Sequence, residues 1–218
     1  MKAKMEMESL HMDHPNTYPA SIQRYFEYYG LCPDEEAIGP YEHFFGTFKS
    51  DGIIIAAHIF APKKCRGTVL VLHGYLSHSG HMKHLIKCLL QQDFAIATYD
   101  MPGHGLSTTK NCIVEDFLLY NSVLCDFLNV VTLQLKGPYH LIGHSLGGSI
   151  AIDYLLTSEE PIFMKVILVA PLIRSIFWRF SRIAYCLCSP FIKRVPRIFS
   201  HNSSDREFLS FIRSRDPL

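Results

Sequence analysis

The sequence predicts an α/β protein with a mostly parallel, doubly wound sheet, and three observations carry that prediction. Short continuous apolar runs at residues 68–72 and 165–170 have the composition of strands buried on both faces, and further short strands are expected at 94–99 and 139–142. Segments with apolar residues at helical spacing separate them, as right-handed crossovers between parallel strands require. One strand-to-helix junction, Gly143-His144-Ser145-Leu146-Gly147, has the form Gly-x-Ser-x-Gly.

Residues 1–17 read as a mobile tail, and residues 18–30 as an aromatic-rich helix stopped by Gly30. Residues 44–49 and 53–60 flank Ser50-Asp51-Gly52, a hairpin turn signal. The run at 68–72 then leads into His73-Gly74-Tyr75. Met82, Leu85, Ile86, Leu89 and Leu90 share one face of a helix over 82–92, before the strand at 94–99. Residues 114–135 carry an apolar stripe through Phe117, Leu118, Leu124, Leu128 and Val131, with Glu115 and Asp116 suited to the helix start. The strand before Ser145, its following helix and the apolar strand at 165–170 complete four strand-then-helix units.

The Ser145 junction is where chemistry is expected. A sharp strand-to-helix turn forces the residue at its apex into a strained conformation and lifts its hydroxyl clear of the sheet. Gly143 and Gly147 stand where a side chain would strike a neighbouring strand or helix. Free N–H groups and the positive dipole end of the helix point at any oxyanion formed there. Ser145 is therefore the candidate nucleophile.

Composition narrows the classes. With 218 residues, 48% of them hydrophobic, the chain is long enough for one domain with a sizeable core. Its 21 basic and 20 acidic residues nearly balance, which gives no general reason to expect nucleic-acid binding. The charged N-terminus lacks the apolar core of a secretory signal, and no apolar run approaches a membrane span. Seven scattered cysteines, an odd number without zinc-type spacing, point to reduced thiols and a cytoplasmic setting.

Three motifs together resemble the α/β-hydrolases of the monoacylglycerol lipase, lysophospholipase and serine aminopeptidase S33 group. His73-Gly74-Tyr75-Leu76-Ser77-His78-Ser79-Gly80 is similar to that group's oxyanion segment. Asp100-Met101-Pro102-Gly103-His104-Gly105-Leu106-Ser107 resembles its turn after the fourth strand, and Gly143-His144-Ser145-Leu146-Gly147-Gly148 its nucleophile segment. The likeness runs from about residue 40 to the end. It implies an α/β-hydrolase fold organised as a tail and helix over 1–40, a core over 41–171 and a helical cap over 172–218.

The resemblance also implies roles. The backbone N–H groups of Tyr75 and Leu146 would hold the oxyanion, while the Tyr75 phenol only lines the pocket. His73, His144, His104 and Asp100 are expected to hold turns, and Ser107 to cap one. Such a fold supplies its triad in the order Ser, acid, His. After Ser145 the only histidine is His201, read as a cap-surface residue, and Asp205 follows it in the wrong order. Asp216-Pro217-Leu218 resembles the Asp-Pro-Leu that precedes the family's seventh strand, so the seventh and eighth strands, with the catalytic Asp and His, are expected to be missing. The cap mixes Trp178, Phe180, Ile183 and Leu187 with Arg174, Arg179 and Arg182, and no acidic residue falls between Glu160 and Asp205. A lid over the active-site mouth and an amphipathic contact with an anionic membrane surface both fit that pattern.

The implied activity is serine ester hydrolysis on a small-molecule ester or lipid with a hydrophobic acyl chain, with no metal or organic cofactor. The alternative is a catalytically inactive, truncated homologue that binds acyl ligands or a partner.

Overall fold

The computed structural model describes residues 9–10, 12, 18–108, 116–174, 177–188, 206–214 and 216. They fall into two compact units, Met1–Leu172 and Ile173–Leu218.

The first unit is built on six strands: β1 (Tyr41–Ser50), β2 (Ile53–Pro62), β3 (Thr68–Leu72), β4 (Ala95–Tyr99), β5 (Tyr139–His144) and β6 (Phe163–Val169). Their order across the sheet is β1-β2-β4-β3-β5-β6. β1 and β2 form an antiparallel hairpin, β2 meets β4 antiparallel, and β4, β3, β5 and β6 run parallel. The hairpin closes through Asp51 at φ 47° and Gly52 at φ 74°, the pair of positive angles that Asp-Gly supplies for a two-residue turn.

Helices fill the crossovers as the periodicity anticipates. α1 (Ala20–Tyr29) buries Ile22, Tyr25, Phe26 and Tyr29 on one face. It ends at Gly30 in the left-handed conformation, whose N–H donates to the Glu27 carbonyl, while Leu31 N–H donates to Phe26. α2 (Glu35–Ile38) is a single turn, capped by the Asp34 carboxylate. A 3₁₀ turn over Ser79–Met82 leads into α3 (Lys83–Leu90), so the predicted helix begins as a tighter turn. α4 (Leu118–Gln134) and α5 (Leu146–Thr157) pack on the sheet, with Leu124, Phe127, Ile150 and Ala151 fully buried. The expected start of α4 around Val114 lies outside the described residues.

One expectation is corrected. The N-terminal tail is not free throughout: Leu10 is 3% exposed in the core, and its N–H donates to the Thr47 carbonyl. Met12 packs against the same core, Ser9 pairs with Thr47 inside β1, and Gln134 Nε2 donates to the Leu10 carbonyl. The exposure of β6 follows the expected loss of its neighbours: patterned for burial on both faces, it leaves Met164 71% and Ile167 55% exposed in the described structure. It lies at the sheet edge with β5 as its one hydrogen-bonded neighbour, so its apolar composition is only partly used in the described structure.

The second unit contains α6 (Trp178–Cys188) and α7 (Arg206–Ser214). α6 carries exposed Trp178, Phe180, Ile183 and Leu187 interleaved with Arg179 and Arg182. Among the described residues no helix is long and apolar enough to cross a membrane.

Candidate active site

Parallel pairing brings the C-terminal ends of β3, β4, β5 and β6 to one edge of the sheet, with Leu72 opposite Gly143 and His144 opposite Val169. Crevices at that edge are where open α/β sheets bind ligands.

Ser145 stands between β5 and α5 with φ 51° and ψ −110°. A non-glycine residue reaches that region only where its surroundings over-determine it, at a cost on the order of 1–3 kcal/mol. The constraints are visible on both sides of the residue. Its N–H donates to the Val169 carbonyl at 2.9 Å, and its carbonyl accepts from Leu172 N–H at 3.1 Å. Ser149 ties the same turn down, its hydroxyl donating to the Leu172 carbonyl at 2.5 Å. Gly147 permits the close approach of helix and sheet, because a Cβ there would strike the Leu72 carbonyl.

The β3 exit lies against this junction. Gly147 N–H donates to the His73 carbonyl at 3.1 Å. A Cβ on Gly74 would come within 3.3 Å of Ser145 Cβ and 2.8 Å of His144 Nδ1, so only a glycine lets the segment approach so closely. Tyr75 follows immediately, 48% exposed, and Leu76 takes φ 58°. Among the described residues neither Tyr75 N–H nor Leu146 N–H donates a backbone hydrogen bond outside regular elements, and Leu146 opens its helix, where the first N–H groups lack partners. The three sequence-predicted site residues, Ser145, Tyr75 and Leu146, are thus contributed by two abutting segments.

Behind them is a buried polar frame. Asp100 accepts from Ser79 N–H through Oδ1 and from Leu106 N–H through Oδ2, each at 2.8 Å. Burial by itself would raise its carboxyl; the facing rings of His78, His73 and His58, with the Leu106 N–H, outweigh that and hold it below its usual value. His73 accepts from Met101 N–H through Nε2 at 2.9 Å, and its Nδ1 lies 2.8 Å from the Gly74 carbonyl oxygen. Burial pushes its pKa down to about 3, with Asp100 opposing. His58 is likewise lowered to about 4 by burial. Ser107 Oγ donates to the Asp100 carbonyl and accepts from Ala56 N–H. The Asp100–Ser107 turn is therefore stitched both to the oxyanion segment and to β2. The sequence marked these residues as turn holders; that His73 grips the Gly74 carbonyl with its own ring had no signal beyond the His-Gly pair.

Among the described residues no histidine hydrogen-bonds the Ser145 hydroxyl. His201 and Asp205 lie outside the described residues.

A mostly parallel sheet with a positive-φ serine between strand and helix defines an α/β hydrolase, and solved structures share that fold. A carboxyl esterase from Bacillus coagulans in complex with glycerol superposes with a TM-score of 0.55 at 24% identity, covering 67% of this chain and 49% of that one. A soluble variant of monoglyceride lipase from Saccharomyces cerevisiae, in complex with a substrate analog, gives 0.61 at 20% identity over 78% of this chain and 61% of that one. The family model described as serine aminopeptidase, S33, matches residues 63–215, and the chain belongs to that family. Relatives include the monoglyceride lipases of Rattus norvegicus and Homo sapiens, 31% and 29% identical over 137 residues, which is 62% of this chain and 45% of each relative. The chain therefore spans less than half the length of these relatives.

Proposed function

We propose that this protein is a serine hydrolase of carboxylic esters that carry a hydrophobic acyl chain, of the monoacylglycerol or lysophospholipid class. The observation that carries this reading is Ser145 at φ 51° on the β5–α5 turn with Gly74 packed against it. Ser145 Oγ attacks the ester carbonyl, and the carbonyl oxygen becomes an oxyanion. The backbone N–H groups of Tyr75 and Leu146 donate to that oxyanion, a type of contact whose removal typically costs about 10²–10³ in rate. Collapse expels the alcohol, and water then releases the acid from the acyl-enzyme. A serine hydroxyl needs a histidine base oriented by a carboxylate, and the reaction requires such a pair to reach Ser145.

Substrate class rests on the monoglyceride lipase relatives. The aromatic and basic side chains of α6 suit an amphiphilic ester at an anionic surface, so peripheral membrane contact from a cytoplasmic location belongs to the same proposal.

The test is active-site labelling. Protein made from its complete reading frame is treated with an alkyl fluorophosphonate, and Ser145→Ala should abolish covalent labelling. Undiminished labelling of the variant would remove Ser145 from the mechanism.

A further inference from the structure

Across a trans peptide the carbonyl and the following N–H point in opposite directions. Gly74 C=O and Tyr75 N–H belong to one such unit, so whatever grips the carbonyl also aims the N–H. Two donors grip it: the His73 ring through Nδ1 at 2.8 Å, and Ser77 N–H at 3.1 Å.

The proton on the His73 ring is placed by its other neighbour. Met101 N–H can only donate, and it lies 2.9 Å from Nε2. Nε2 therefore carries the lone pair, and the single proton of the neutral ring sits on Nδ1, facing the Gly74 carbonyl. Complete burial of the ring favours the neutral form. Either other protonation state breaks the arrangement. A proton moved to Nε2 would oppose Met101 N–H and set two lone pairs against each other at Gly74. A doubly protonated ring would again put N–H against N–H at Met101.

We infer that His73 is a positioning residue for the acyl-transfer step: as its Nδ1–H tautomer it locks the Gly74–Tyr75 peptide so that Tyr75 N–H is presented as an oxyanion donor. This rests on the Ser145 reading. His73 touches no reacting atom; it acts through a peptide that abuts Ser145, and its own carbonyl is held by Gly147 N–H in the first turn of α5. One residue thus ties the oxyanion peptide to the Asp100–Ser107 turn by its ring and to the nucleophile helix by its backbone.

Two measurements on protein made from the complete reading frame test the assignment. Long-range ¹H–¹⁵N correlation of the imidazoles in the unmodified protein at neutral pH should place the His73 proton on Nδ1 alone. A proton on Nε2, or on both nitrogens, overturns the inference without any variant having to fold.

The second measurement is the concentration dependence of alkyl fluorophosphonate labelling. His73→Leu should lower the limiting labelling rate by about 10²-fold, as loss of one oxyanion donor does, and change the half-saturating concentration by less than about twofold. His73→Asn keeps an N–H donor near the place of Nδ1 but lacks the Nε2 acceptor, and should recover most of that rate. Equal losses in both variants, or a loss confined to half-saturation, indicate a merely structural histidine and overturn the inference. Ser145→Ala separates the two levels. Labelling that survives in it overturns the Ser145 reading and the His73 role with it, whereas Ser145-dependent labelling indifferent to His73 overturns only the latter.

Discussion

Lowering the pH from about 7.5 to about 5 should weaken the fold through its buried histidines. His58 and His73 are each 0% exposed, with burial as the leading cause of pKa values of about 4 and about 3. Unfolded, each would titrate at about 6.5. Below that value the unfolded chain binds protons that the folded chain refuses, so stability falls with pH until the folded values are reached. At pH 5 each ring costs about 2 kcal/mol relative to pH 7.5, and the pair about 4 kcal/mol. His43 and His104, also lowered mainly by burial, act in the same direction. Asp100 is depressed too, but its contribution is lost only below the ordinary carboxylate range, outside this window. A loss of that size is a large part of the roughly 5–15 kcal/mol that holds a typical domain together. Urea unfolding at a series of pH values measures it, and His58→Asn should reduce the slope by about 1.4 kcal/mol per pH unit. A flat stability profile between pH 7 and 5, or a slope untouched by the substitution, would refute the claim that these rings are buried and neutral.

Three further outcomes are expected. Gly147→Ala drives a Cβ into the Leu72 carbonyl, and thermal melting should show a loss of about 1–3 kcal/mol, with reduced labelling of Ser145. Made as residues 1–218 alone, the polypeptide should self-associate through β6, whose exposed Ile167, Leu168 and Val169 offer an apolar surface beside an edge that no other described strand pairs. Light scattering would reveal it; a stable monomer with strongly protected amides over 166–170 would show the edge to be covered. The same polypeptide should hydrolyse esters on the order of 10⁶ more slowly than a triad-complete enzyme, and comparable turnover would require another base.

The strand runs at 68–72 and 94–99 were legible because a strand buried on both faces has no polar alternation to confuse it, and β3 and β4 are fully buried; the half-buried β5 was placed by the Gly-x-Ser-x-Gly turn that follows it. β6 has the same apolar composition at the sheet edge, because composition records what a strand is suited to touch and says nothing about which neighbours are present. Leu10 escaped notice for the opposite reason, since a leucine and a few methionines scattered among charged residues show no strand or helix period. At the site, Gly-x-Ser-x-Gly pointed to Ser145 because glycines mark places where backbone must come close to backbone, whereas Tyr75 and Leu146 were marked by the resemblance of the segments that hold them. The frame behind them was legible only as motif letters. That Asp100 bridges Ser79 and Leu106, and that Ser107 reaches back to Ala56, depends on chirality and register that no single-sequence pattern encodes.

Ser145 draws its backbone partners from Val169 and Leu172, more than twenty positions later in the chain. On the ribosome, β5 and α5 emerge before the strand that pins their junction, and domains form as their segments become available. Until residues 169–172 arrive, the serine lacks the hydrogen bonds that stabilise its left-handed twist, and a relaxed turn is favoured. Covalent capture of Ser145 is therefore a chronometer of folding: it counts the molecules in which β6 has docked beside β5. A pulse of fluorophosphonate during refolding would date that event directly, before and independently of any measurement of substrate turnover.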